Sequence, residues 1–206
     1  MPPSAAPRPA KRSEPRERLL ATASGLFYAE GIGSVGVNRI VSQSGVTLAT
    51  FYRHFPGKED LVVAYLRGVH DVVEQRASVL REEHRGADLV RAIGEEVASE
   101  TGRPGFRGCA FINAASEFED ADSPVRRVVA EHRRWYYKLV RRAFDEAGHG
   151  YPGNAARHFL MLRDGAMTAG YLDGPVIARR TFGRGIDGLL RSIGLEPAVP
   201  HEDVED

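Results

Sequence analysis

Side chains able to do chemistry gather most densely between Val37 and Lys58. Asn38, Arg39, Thr47, Thr50, Tyr52, Arg53, His54 and Lys58 lie within these positions. They offer amide, guanidinium, hydroxyl, phenol, imidazole and ammonium groups. Such a set donates hydrogen bonds and positive charge to a polyanion, and does not break bonds. Elsewhere there is no glycine-rich phosphate loop, no His-Glu-x-x-His pair and no nucleophile elbow. His149, His158 and His201 are scattered and form no ligand set. Glu117, Glu119 and Asp120 can be drawn as paired carboxylates, yet their loop context fits solvated charge or pocket lining better. No enzyme activity, metal or cofactor is expected.

These groups need elements to hold them. Val37, Ile40 and Val41 fall on the inner face of a short helix ended by Ser44 and Gly45. Thr47 can cap a second short helix running through Tyr52 to about His54. Gly45 suits a turn of positive φ, and Val46 would plug the angle between the two helices. The second helix would present Leu48, Ala49, Thr50 and Arg53 outward, and such a helix fits a major groove N-terminus first. Tyr52, His54, Lys58 and Thr47 would flank it at phosphate reach. A helical hairpin inside an ordinary bundle fits the same periodicity.

Before this pair, Pro15 opens a helix through Leu19, Leu20, Ala23, Leu26 and Phe27, stopped by Gly31 and Gly33. After it, a long helix runs from Lys58 to about Glu82, then others span about 88–100, 109–118, 124–147 and 154–171. A last helix follows Pro175 and ends near Ile193. The reading is all-α, with about nine helices, the three in the first 55 residues short. No stretch alternates with period two for long enough to propose a strand. The expected domains are a basic arm (1–13), a helix-turn-helix domain (14–57), an effector and dimerisation domain (58–194) and an acidic tail (195–206).

The 206 residues balance 28 basic against 28 acidic side chains. Residues 1–60 nonetheless carry eight Lys or Arg against five Asp or Glu, which directs a polyanion to the N-terminal part. The early basic residues Arg8, Lys11, Arg12, Arg16 and Arg18 fit a minor-groove arm or a solubilising tail. A single cysteine, Cys109, excludes a disulfide scaffold; it reads as a small buried hydrophobe or, with Arg107 close by, an oxidation sensor. No signal-length or membrane-length apolar run is present, so a cytoplasmic protein with no membrane partner is expected.

Residues 17–66 resemble the N-terminal domain of the TetR family of bacterial transcriptional regulators. The resemblance rests on Arg18-Leu19-Leu20 through Leu26-Phe27, then Gly31, Ile32, Val35, Ile40 and Ser44-Gly45-Val46. It continues through Thr50-Phe51-Tyr52-Arg53-His54-Phe55-Pro56-Gly57-Lys58-Glu59-Asp60-Leu61. It implies an all-helical homodimer that binds a DNA operator, most members being repressors released by a small molecule. It makes residues 48–53 the recognition helix, with Thr47, Tyr52, His54 and Lys58 on the DNA backbone. Leu48 departs from the polar or basic residue frequent there; it can meet a thymine methyl but cannot donate to guanine. Base donors and acceptors then fall to Thr50, Arg53, Asn38 and Arg39. Activation, corepressor dependence or a helical adaptor role stay open.

The C-terminal part carries no universal motif, although residues 108–118 resemble a segment of one group of these regulators. A helical sensor pocket is mainly apolar with a few orienting polar groups. Phe106, Phe111, Ile112, Trp135, Tyr136 and Phe159 are candidate walls; Asn113, His132 and Tyr65 are candidate polar groups. Plain core packing is the alternative for each. Ala166, Met167, Ala169 and Gly170 offer close helix approach, and Phe182, Ile186, Leu189, Leu190 and Ile193 form a stripe expected to face a second copy.

Overall fold

Caps and breakers set the helix ends. The computed structural model describes residues 13–192; most of the expected arm, Ile193 and the acidic tail lie outside the described residues. Nine α-helices and no strand occur among the described residues. They are α1 (Glu14–Glu30), α2 (Val37–Ser44), α3 (Leu48–His54), α4 (Lys58–Glu83), α5 (Gly86–Thr101), α6 (Ala110–Glu117), α7 (Pro124–Glu146), α8 (Pro152–Leu172) and α9 (Pro175–Arg191). Proline stands in the first turn of α1, α7, α8 and α9, where a missing N–H costs nothing. Ser123 caps α7 by accepting from the Arg126 amide at 3.2 Å. The first helix is not short: its 17 residues carry Leu19, Ala23 and Phe27 on one buried face.

The chain divides into two compact units inside α4, between Tyr65 and Leu66. The expected boundary at Lys58 lies earlier in the same helix. Leu61, Val62 and Tyr65 are buried, and the Tyr65 ring lies 5.9 Å from that of Phe27. The opening turns of α4 thus belong to the core that α1, α2 and α3 build around Phe27, Ile40 and Phe51.

In the second unit α5 packs against α7, α8 and α9. Phe159 sits between Phe144 and Phe182, at 6.4 and 5.4 Å, as plain core. The close approaches depend on missing side chains. A Cβ on Gly94 would meet the Ile186 Cδ1, and one on Gly170 would lie 2.7 Å from Thr101.

This packing covers most of the expected dimer stripe from within the chain. Ala166, Gly170, Phe182, Ile186 and Leu190 are buried within the chain, and Leu189 is half-buried. The face is indeed too apolar for solvent, but α5 covers much of it. Helices α8 and α9 instead expose Met161, Leu172, Val176 and Ile177, at 71%, 71%, 78% and 54% of their surface. Ile186→Asp would place a carboxylate in that core. It is expected to lower the unfolding free energy by about 3 kcal/mol or more. Urea unfolding measures this; an unchanged midpoint would contradict the intrachain packing of α9.

Candidate nucleic-acid interface and effector pocket

Gly45 turns the chain between α2 and α3 in the left-handed region, at φ 66° and ψ 32°. A residue with a Cβ is strained there by roughly 1–2 kcal/mol. Thr47 follows in extended conformation, and its hydroxyl accepts from the Thr50 amide at 3.2 Å. Phe51 fixes the inner face of α3. It is fully buried, edge-on to Tyr52 and 6.1 Å from Phe55. The outer face is left to solvent: Leu48, Ala49, Tyr52 and Arg53 are exposed, with Thr50 half-buried.

That outer face is internally ordered. Thr47 Oγ1 and Thr50 Oγ1 lie 2.9 Å apart, and Arg53 Nη2 donates to Thr50 Oγ1 at 3.3 Å. His54 Nε2 stands 3.4 Å from Ser13 Oγ. Asp60 accepts from the Gly57 amide at 2.9 Å, so the turn carrying half-buried Lys58 is fixed. Asn38 is exposed on α2. Arg39 is exposed too, but its Nη1 and Nη2 donate to both Glu30 oxygens at 2.6 and 2.7 Å. Hydrogen bonding to Arg39 holds the Glu30 carboxyl below its ordinary pKa. Arg39 is thus engaged within the domain, while Arg53 stands on the open face of α3.

The second unit brings together four of the expected pocket residues. Phe111 stacks on His132 at 3.6 Å with the rings nearly parallel; Trp135 and Tyr136 lie 5.7 and 6.0 Å from the same imidazole. The other candidates go elsewhere. Tyr65 belongs to the N-terminal core, and Phe159 to the Phe144–Phe182 stack. Phe106 packs by Gly170. Asn113 Nδ2 donates to the Arg107 carbonyl at 2.9 Å, and Ile112 is half-buried on α6.

Arg163 is the polar centre of this region. Its Nη1 donates to Asp164 at 2.9 Å and to Cys109 Sγ at 3.3 Å, and its guanidinium lies over the Tyr136 ring. Asp164 also accepts from Arg133 at 2.7 Å. Burial works against the Arg163 charge, but the ionisable neighbours Cys109, Tyr136 and Asp164 more than offset it, and its pKa lies above the ordinary value. Burial pushes the Tyr136 phenol up to about 12. Arg163 Nε is buried without a hydrogen-bond partner. Beside it, Arg163, Tyr136 and Met167 help to line a cavity of about 40 Å³, whose wall also includes apolar Val73, Ile93 and Val97 and charged Arg76, Glu96 and Glu100. Among the described residues, no group of three His, Cys, Asp or Glu side chains is placed to hold a metal.

Residues 19–65 match the model for bacterial regulatory proteins of the tetR family. The chain is similar to SCO4454, a TetR-family transcriptional regulator from Streptomyces coelicolor. The two share 44% identity and a TM-score of 0.84, over 87% of this chain and 96% of that one. The chain belongs to the TetR family. Among curated relatives, the Bacillus subtilis HTH-type regulator YxaF is 36% identical over 83 residues, 40% of this chain and 42% of that protein. The match thus spans less than half of YxaF. A Saccharomonospora viridis regulator, solved in complex with choline, shares the fold at 20% identity and a TM-score of 0.70, over 85% of this chain and 97% of that one.

Two features of this TetR-family regulator escaped the sequence reading. His70 Nδ1 lies 3.0 Å from His132 Nδ1, and its ring is edge-on to Trp135. The signal was there: Leu66, His70, Val73 and Ala77 share a helix face, so a histidine interrupts an apolar stripe. Arg163 and Asp164 were the other signal, the only charges between Phe159 and Leu172.

Only one proton can sit between two imidazole nitrogens 3.0 Å apart. Burial lowers the His132 pKa to about 3, aided by the positive charges of Arg163 and Arg133. His132 is therefore neutral when folded, whereas in the unfolded chain it takes a proton near pH 6.5. Stability linked to it is full above that pH and falls as pH drops toward 3. Between pH 7 and pH 4 the loss is expected to be about 3 kcal/mol. Urea midpoints of wild type and His132→Gln across that range test it: the variant should lose less on acidification, and parallel curves would refute the linkage.

Proposed function

We propose that this TetR-family regulator is a repressor that binds a near-palindromic operator as a homodimer and is released by a small, mainly apolar effector. One observation carries the DNA reading. The exposed face of α3 stands beside a left-handed turn and a hydrogen-bonded cap, with Thr47, Thr50 and Arg53 already linked. Recognition helices of such dimers enter major grooves about 34–36 Å apart on one DNA face. Leu48, Ala49, Thr50 and Arg53 take the base edges. Thr47, Tyr52, His54 and Lys58 hold the phosphates, and Asn38 and Arg39 stand beside them on α2.

Selection from a random duplex library at physiological salt tests this reading. A two-fold enriched motif is expected; none would sink it. On that motif, Lys58→Gln should weaken enriched and random duplexes by a similar factor. Thr50→Ala should change base preference, by about 1–3 kcal/mol for a lost base contact.

The dimer reading rests on the exposed apolar residues of α8 and α9. Met161 and Leu172 on α8, with Val176 and Ile177 on α9, are large for solvent and suit a bundle with a second copy. Val176→Glu with Ile177→Glu is expected to halve the mass in sedimentation while preserving the helical signal. A dimer of unchanged mass would place the interface elsewhere.

The effector reading rests on the Arg163 cavity. At about 40 Å³ it is far below the ~300–1,000 Å³ of ordinary ligand sites, so a ligand must widen it. The wall mixes Val73, Leu80, Ile93, Val97 and Met167 with Arg76, Glu96 and Glu100, and the unpaired Arg163 Nε–H favours a molecule with a mainly apolar body and one acceptor oxygen. The choline-bound neighbour shows that this fold holds small molecules elsewhere. A thermal-shift screen with operator-release retesting fixes the sign. Release supports the repressor reading, and tighter operator binding makes the protein corepressor-dependent. No described helix is long and apolar enough to cross a membrane, in keeping with a cytoplasmic regulator.

A further inference from the structure

A second concavity, of about 260 Å³, opens where the end of α4 and the start of α5 meet α7. Its charge is one-sided. Arg81, Arg85, Lys138 and Arg142 line it against a single carboxylate, Glu146, in a chain whose charges otherwise balance. Glu146 is taken by Arg142 Nε at 2.9 Å. Among the described residues, the Arg85 guanidinium donates only to the His84 carbonyl, at 2.7 Å. Four cations this close repel one another, and an anion between them relieves that repulsion.

The rest of the lining is apolar. Leu89 is buried, while Trp135 and Leu139 are half-buried. Trp135 is held edge-on to His70 at 5.0 Å and to Tyr136 at 5.7 Å, so its indole is a fixed wall. A flat ring would find in Trp135 an aromatic partner, and its acid group would find guanidinium forks of matching geometry.

We infer that this groove is a binding site for aromatic carboxylates, the ring against Trp135 and Leu89 and the carboxylate among Arg81, Arg85 and Lys138. The groove shares Leu139 with the Arg163 cavity but not its Arg163 or Tyr136, and the inference does not depend on the DNA reading.

The chain contains one tryptophan, so its fluorescence reports this groove directly. Titration of the full-length protein with 3-iodobenzoate, a heavy-atom quencher, is expected to quench Trp135 along a saturating curve. 5-Iodoisophthalate, with two carboxylates, should bind more tightly. The neutral 3-iodobenzyl alcohol should bind at least about tenfold more weakly, and 3-iodobenzylamine should not saturate. Arg81→Gln with Lys138→Gln changes only exposed side chains. This variant should keep the wild-type melting curve and lose about tenfold in 3-iodobenzoate affinity. Equal quenching by all four compounds, quenching linear in concentration, or an unchanged affinity in the folded variant would overturn the proposal. No operator DNA is present, so failure of the regulatory reading leaves this result standing.

Discussion

The second unit depends on how closely α5 can approach its neighbours. Three helices, α7, α8 and α9, pack on α5, and bare glycines supply room at tight points. Gly94 admits the end of Ile186, and Gly170 on α8 admits Thr101 from the last turn of α5. Interiors are packed at crystal-like density, so a single added methyl at such points must displace a neighbour. The consequences spread outward. With α9 drawn onto α5, Phe182 reaches Phe159, which reaches Phe144 on α7. The apolar residues left outside, Met161 and Val176 among them, are those this arrangement cannot cover.

Much of this was legible in the sequence where local rules decide. Pro124 after a capping serine, Gly31 after an apolar period and Gly45 between two short helices each act within a few residues, and each boundary fell within two residues of its expected place. The α3 face was legible for the same reason. Phe51 and Tyr52 are adjacent, so burying one side of a seven-residue helix presents the other. The dimer stripe was not legible. Phe182, Ile186 and Leu190 state only that their face is covered; which helix covers it depends on Gly94, about ninety residues away. The Arg39–Glu30 pair failed similarly, since helical periodicity has no account of a partner nine positions back across a turn.

Charge in the second unit follows an economy that pattern reading misses. Asp164 serves both Arg133 and Arg163, leaving the Arg163 Nε unmatched next to a small cavity. A buried cation with an incomplete hydrogen-bond set is costly unless something supplies the missing acceptor. The neighbouring histidines show the opposite solution: His132 sheds its charge, and its flat neutral ring stacks on Phe111. Arg163 thus keeps its charge by pairing with Asp164, whereas His132 gives its charge up.

The small size of the Arg163 cavity has a kinetic meaning. A protein whose resting pocket excludes its ligand binds only through its expanded fraction. Apparent affinity is then the intrinsic affinity reduced by that fraction. Association would cease to rise in proportion to ligand concentration once opening became slower than capture. Substitutions that loosened the apolar wall around Val73 and Ile93 would raise the open population without touching any ligand atom. For the proposed effector, binding strength at this site would be governed as much by how easily the closed walls separate as by what they contact.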